Sequence, residues 1–403
     1  MARLHSLVFL GVLAAVPAPS LAQSTQPTPS PTSEASSGSE WSIKPRGRIQ
    51  VDVADINAPA TVAGDNFGTE AEIRRAYLGV DGTLPGNLGF RVEADFAGEF
   101  ADESVQFTDV YLTYKPTDEL TLTLGQHKPF FGLEEQTSDL FTSMLERAAF
   151  TSAFGFERRI GLSGAYSRGD LLVQAGAFTV HTADLDADDD SYGFDGRVVF
   201  SPKLGVGELH IGGSAHLREL KGSDAGTVRY RARPFAHTTD TRLVDTGSIA
   251  ANGERSFGAE LAYIAGPFHA TLEGHRITAL RPGLPNSSFW GGYAEVGMLL
   301  TPGDKTGYRG GTYDRIRPAD PITEGGIGAV QVNARYDRLD LNDGAITGGL
   351  QQTLGLGVVW VPVDSLRFQA NYGRLWISDA AIPAGTDRDY RVDTLGVRAQ
   401  FDF

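Results

Sequence analysis

None of the 403 residues is cysteine, so disulfides, thiolate metal centres and thiol nucleophiles are excluded. No stretch offers the ~18 continuous apolar residues that a bilayer-spanning helix needs. Any membrane insertion must therefore use strands. Also missing are the H-x-x-x-H spacing of a helix-borne metal site and the G-x-S-x-G nucleophile elbow. His210 and His216, like His269 and His275, share a strand face, but six residues separate them by about 20 Å, too far for joint ligation. The acidic run 184–190 lacks a glycine at its sixth loop position and carries Asp195 rather than Glu at its twelfth, so it fails as a calcium loop. It reads as a solvated outer loop able to share divalent ions with lipopolysaccharide. No enzyme activity, cofactor, metal centre or nucleic-acid partner is expected.

What is present begins at the end of the chain. Residues 391–403 alternate strictly, so Leu395, Val397, Ala399, Phe401 and Phe403 form an apolar stripe while Thr394, Gly396, Arg398, Gln400 and Asp402 line the other face. A terminal strand with one greasy and one wet face, closed by Phe, is characteristic of outer-membrane barrels. At the other end, Arg3, the apolar run 7–16 and Ser20-Leu21-Ala22 compose a secretory signal peptide, residues 1–22. Residues 23–45, rich in Pro, Ser and Thr, read as a flexible lead, and 46–403 as one barrel domain.

About sixteen alternating segments follow one another through that domain, among them 48–55, 90–98, 120–126, 192–200, 209–218, 257–264, 268–277, 290–300, 330–337, 354–361 and 366–376. Tight connections (85–87, 168–170, 266–267) contrast with long ones (129–157, 221–255), as periplasmic turns contrast with outer loops. Forty-nine glycines, thirteen tyrosines and a hydrophobic content of only 41% fit a barrel whose outer face alone is apolar. A β-sandwich would also alternate, but the leader and terminal Phe favour an all-β transmembrane antiparallel barrel.

Arg229, Arg231 and Arg233 recur at period two, which in extended chain sets three guanidiniums on one side about 6 to 7 Å apart. Such a ladder either binds phosphate or carboxylate oxygens, or faces water and pairs with Asp240 and Asp245. Arg74-Arg75 opens a strand, where alternation allows only one to point inward unless the strand bends, and Arg158-Arg159 closes a long loop.

The strings G-R-I-Q-V-D (47–52), R-R-A-Y-L-G (74–79), F-T-D-V-Y-L-T-Y (107–114), L-G-Q-H-K-P-F-F-G-L-E-E (124–135) and M-L-E-R (144–147) resemble the phosphate-selective porins of O and P type. So do Y-A-E-V-G-M-L-L-T-P-G-D (293–304), I-R-P (316–318) and A-R-Y-D-R-L-D-L-N-D (334–343). The resemblance implies a sixteen-stranded homotrimeric barrel in the bacterial outer membrane, with inward loops narrowing a channel for phosphate or polyphosphate. It places the anion ladder on Arg229, Arg231 and Arg233, constriction arginines on Arg48, Arg74, Arg75 and Arg147, and the constriction acid on Asp109. Gln126 stands where close relatives carry a basic residue, with Lys128 as the candidate replacement, so general anion preference is better supported than strict phosphate preference. The formal net charge of -15 does not oppose this, because distant charges are screened beyond ~8 Å at physiological salt. The alternatives are a non-selective or sugar-permeable diffusion pore, and a surface binding or adhesion barrel.

Overall fold

The structure, a computed structural model, describes residues 41–65, 67–98, 105–155, 157–184, 190–222 and 226–403. The expected leader 1–22, most of the expected flexible lead 23–45 and most of the acidic run 184–190 lie outside the described residues.

Among the described residues, sixteen long antiparallel strands form one closed sheet, joined by the two-residue strand Lys203–Leu204, which pairs with Gly207 and Glu208. They are β1 (Ser42–Asn57), β2 (Gly68–Leu84), β3 (Leu88–Asp95), β4 (Gln106–Tyr114), β5 (Leu120–His127) and β6 (Arg159–Arg168). Then come β7 (Leu171–Phe178), β8 (Tyr192–Phe200), β9 (Gly207–Glu219), β10 (Gly253–Ala265) and β11 (Phe268–Leu280). The sheet continues with β12 (Ser287–Leu299), β13 (Ala329–Asp343), β14 (Ile346–Val363), β15 (Leu366–Ser378) and β16 (Tyr390–Asp402). Each pairs with its predecessor, and β16 pairs with β1 from Arg48↔Asp402 to Asn57↔Asp393. Among the described residues closure leaves that sheet without an edge strand, a condition for crossing a bilayer with strands.

Burial is inverted relative to a water-soluble barrel. Along β16, Leu395 and Phe401 are 54% and 46% exposed, whereas Thr394, Arg398 and Gln400 are each 2% exposed. The greasy stripe faces outward and the polar stripe inward, as the alternation requires. Phe403 joins the belt, and its backbone exchanges hydrogen bonds with Gly47 (both 3.1 Å), fixing both sheet termini at the short-turn end.

Three differences from the sequence reading carry physical reasons. The first strand starts at Ser42, inside the segment 23–45 expected to be flexible, because Ile43 and its neighbours pair with β2 from Ser42↔Thr83 onward. Several strands run past the apolar belt at the long-loop end: β14 begins at Ile346 rather than 354, through I-T-G-G-L-Q-Q-T, where neither face needs to be apolar. Finally, the turn end is not uniformly short. Residues 300–328 connect β12 to β13 there, beside the Gly266-Pro267 turn (Thr306 N donates to Gly266 O, 2.9 Å). This segment forms a hairpin, Gly307–Arg309 with Thr312–Asp314, that reaches lumen-facing side chains. Tyr308 and His210 share a hydrogen bond (2.5 Å), and Arg197 donates to Gly311 O (2.8 Å).

Candidate permeation pathway

The loop 128–158 folds into the lumen because several lumen-facing wall side chains hold its backbone. The Phe131 ring stacks on His275 with centroids 3.8 Å apart, and Leu133 is fully buried. Glu134 is the keystone: its backbone N donates to Glu273 (3.0 Å), and its carboxylate accepts from Ala148 N (2.9 Å) and Thr151 Oγ1 (3.0 Å). It also pairs with Arg335 at 2.7 Å, and Arg335 in turn pairs with Glu295 at 2.7 Å. Ala149 N, opening a short helix Ala149–Phe154, donates to Asp337 (2.6 Å). The carbonyls of Leu140 and Thr142 accept from Arg367 (2.7 and 2.5 Å), and that of Leu145 from Arg398 (2.9 Å). Such buried carbonyls need partners, and here the wall supplies them. Two glycines allow the approach: a Cβ on Gly132 would lie 1.8 Å from Glu273 Oε1, and one on Gly291 2.4 Å from Phe150 Cβ.

The wall groups that hold the loop above come from β11, β13, β15 and β16, so the loop packs against that side and leaves space beside β1 to β4. The space is a cavity of about 420 Å³, lined by Arg46, Arg48, Arg74, Arg75, Arg91, Lys128, Arg147 and Arg158 together with Asp109, Glu135, Asp139, Glu146 and Glu157. Thus the expected residues Arg48, Arg74, Arg75, Lys128, Arg147 and Asp109 come together in one chamber.

Two irregularities aim charges there that plain alternation could not. Between Gln50↔Arg75 and Val51↔Ile73 the β1–β2 register skips Arg74, a bulge that lets neighbouring arginines both line the cavity. The β3–β4 register likewise shifts between Val92 and Ala94, where Thr108 and Asp109 are both buried. Gln126 fills that second irregularity by donating to the carbonyls of Phe107 and Thr108 (both 2.8 Å). It is locked into the wall, while Lys128 reaches the chamber.

A second cavity, about 280 Å³, shares Arg74, Glu146, Arg147, Ser152 and Glu157 with the first and adds Arg231, Arg233, Arg242 and His237. A third, about 680 Å³, shares Arg231 and Arg242 with the second and contains Arg229. The three are contiguous through shared walls. Arg231-Ala232 forms a two-residue strand against Val244-Asp245 and rests near the helix Ala149–Phe154, so the inward loop supports the ladder segment. Of the two arrangements open to the ladder, pairing holds at its ends: Arg229 Nε donates to Asp245 (2.8 Å) and Arg233 to Asp240 (2.8 Å). Arg231 lies exposed between them.

Carboxylates interleave with the chamber's cations. Asp139 binds Arg48 and Arg75 (Nε, 2.6 Å), Glu135 binds Lys128 (2.7 Å) and Arg147 (3.4 Å), Asp109 binds Arg158 (2.5 Å) and Arg91 (3.4 Å), and Glu146 binds Arg74 (3.4 Å). Burial pushes the loop carboxyls up, but the guanidiniums of Arg48 and Arg75 hold Asp139 well below the usual range, and Arg147 with Lys128 hold Glu135 below it. Burial, reinforced by Arg147 and Arg158 and opposed by Glu135, brings Lys128 down to about 8.

The chamber also contains Arg46, Arg91 and Arg158, which the sequence reading did not place in it. Two of these carried a signal: Arg46 and Arg48 are two apart, and Arg91 alternates with the outward Phe90 and Val92. The acids Asp139, Glu135 and Glu146 carried none, because the path of a loop has no periodicity.

This arrangement has relatives. A 42% identical protein of Caulobacter vibrioides, described only as uncharacterized, aligns over 375 residues, 90% of this chain and 74% of its own length. Porin O of Pseudomonas aeruginosa is 27% identical over 376 residues, 84% of each chain. Among solved structures, the anion-selective porin from Comamonas acidovorans matches 90% of this chain and all of its own with a TM-score of 0.58 at 12% identity, a likeness of fold. The family model of phosphate-selective porins O and P matches residues 43–403. The chain belongs to the phosphate-selective porin O and P family, and is an outer-membrane channel of that fold.

Proposed function

We propose that the channel passes small anions down their gradient, phosphate or polyphosphate first among them, through the charged chamber and by way of the ladder Arg229, Arg231 and Arg233. The observation that carries this reading is the chamber's charge: eight cations against five carboxylates line it, in a protein whose whole sequence carries -15. Selectivity follows the potential in the narrowest section, where low-dielectric walls focus the field.

Arg231, unpaired among the described residues, offers an incoming anion a first contact at the mouth. Arg242, Arg74 and Arg147 continue the path inward, and Arg48, Arg75 and Lys128 receive the anion in the chamber. Asp109 restrains Arg91 and Arg158 and so weakens anion capture enough for release. No coupled energy source is involved.

By the resemblance, the barrel assembles as a homotrimer among outer-membrane lipid and lipopolysaccharide after export under the leader 1–22. The test is the reversal potential of purified channels in planar bilayers under a potassium chloride gradient, with phosphate then added to block the chloride current. An anionic potential that weakens in Arg75→Ala, and block by phosphate, are the expected results. A potential near zero would favour a non-selective diffusion pore, and folded protein without channels would favour a binding role.

A further inference from the structure

The chamber's carboxylates are not equivalent, and one is placed where a permeating anion must go. Asp139 lies in the inward loop with one carboxylate oxygen on Arg48 and the other on Arg75 Nε at 2.6 Å. Two guanidiniums gripping two oxygens of one anion is the arrangement they would offer a phosphate. Ser138 Oγ also donates to the Asp139 carboxylate at 3.5 Å. We infer that Asp139 is a tethered stand-in for the transported anion: it occupies the Arg48–Arg75 site when the pore is empty, yields it to a soluble anion, and reclaims it to expel that anion.

Three features of the structure support exchange rather than a fixed structural pair. The backbone around Asp139 is held independently of its carboxylate: Gln50 donates to Asp139 O (3.3 Å), while Arg367 (2.7 Å) and Gln400 (3.2 Å) donate to Leu140 O. Turning the side chain aside therefore leaves the loop in place. Both arginines also keep wall partners once the carboxylate leaves. Arg75 donates to Gln50 Oε1 (2.8 Å), and Arg48 lies 4.7 Å over the Tyr77 ring and 3.5 Å from Glu93. The vacated site stays formed. Lastly, the carboxylate borders the 420 Å³ chamber, so there is room to swing and to admit an anion. Arg398–Asp52 is the contrast: both partners are nearly fully buried in the wall, and the cavity that Asp52 borders, about 10 Å³, is too small to admit an exchanging anion.

A tethered group competes at an effective concentration on the order of millimolar or above, so it weakens every soluble anion's hold on the site. It also relieves repulsion between Arg48 and Arg75 in the empty pore. Fast turnover through strong guanidinium sites is the consequence, since an ion must be able to leave.

The inference rests on the anion-channel reading, and the two can fail separately. The experiment measures phosphate block of chloride current in planar bilayers for the full-length protein and for Asp139→Asn, with Asp139→Ser as a second variant should the first not assemble. A carboxylate acting only through its field is expected to shift the half-blocking phosphate concentration about as much as Glu157→Gln, which removes another carboxylate from the chamber lining. Loss of a tethered competitor is expected to lower it at least fivefold further than Glu157→Gln does and to lengthen individual block events. A shift that does not exceed that of Glu157→Gln by fivefold overturns the inference while leaving the channel reading intact. Should the unaltered protein show no phosphate block, the reading of its substrate fails; block emerging in Asp139→Asn would still uphold the tether, and its absence would overturn it.

Discussion

The two sides of the lumen use the same residue types to opposite ends. On the β8–β16 side, Arg197–Glu260 (2.7 Å), Arg335–Glu295 (2.7 Å) and Arg398–Asp52 (2.6 Å) are buried pairs that seat the loop 128–158 and the turn segment 300–328. On the β1–β4 side, Arg46, Arg74, Arg75 and Arg91 are partly exposed to an open chamber. What separates the buried, structural arginines from the chamber arginines is thus the space beside them. A buried pair must satisfy itself completely, because an uncompensated charge there is costly. On the proposed channel reading a chamber pair can open, because water or an anion can replace the partner.

The contrast is sharpest if its buried side is broken first. Arg335→Ala would strand Glu134 and Glu295, so a loss of about 3 to 5 kcal/mol is expected, read as an earlier denaturant midpoint together with noisy, larger conductance as the loop loosens. Next in size is Gly132→Val, whose side chain would collide with the Glu273 carboxylate and lift the loop from the wall. About 1 to 3 kcal/mol of stability and an altered single-channel conductance are expected, against little change for valine at the open turn position Gly169 beyond its backbone strain.

On the chamber side the effects should appear in selectivity and spare stability. Lys128 has been brought down to about 8, so it is mostly charged at pH 7 and mostly neutral at pH 9. Raising the pH across that interval should lower the chloride-to-potassium permeability ratio about fivefold, the worth of one charge at about 4 Å in water. In Lys128→Arg, which stays charged throughout, that part of the pH dependence should vanish. The smallest effect belongs to the mouth. Arg231→Ala should slow phosphate block onset by a factor of about two at low salt, and by less at high salt, because a steering charge is screened. A large loss of stability in that variant would place Arg231 among the structural arginines and blur the comparison.

Much of the molecule was legible before folding because strand alternation is local. Leu395 and Arg398 declare their faces by parity alone, and the alternation of greasy and polar side chains specifies strands with one apolar and one polar face. Parity failed where a bulge intervened, at Arg74-Arg75 and at Thr108-Asp109, and there it failed in favour of the channel by turning extra charges inward. It was also silent at the loop-side ends of β13 and β14, where strands leave the lipid and need no greasy face.

The sequence by itself determined the barrel, its inside and outside, and which arginines were candidates for contact with water. Only the tertiary structure decided which of them face an open chamber, because that depends on where the loop 128–158 comes to rest. Its course is set by long-range donors such as Arg335, Arg367 and Arg398, more than 180 residues away along the chain, and no local pattern encodes a partner at that distance. For the same reason Asp139, unremarkable in the sequence, lies between Arg48 and Arg75 in the fold.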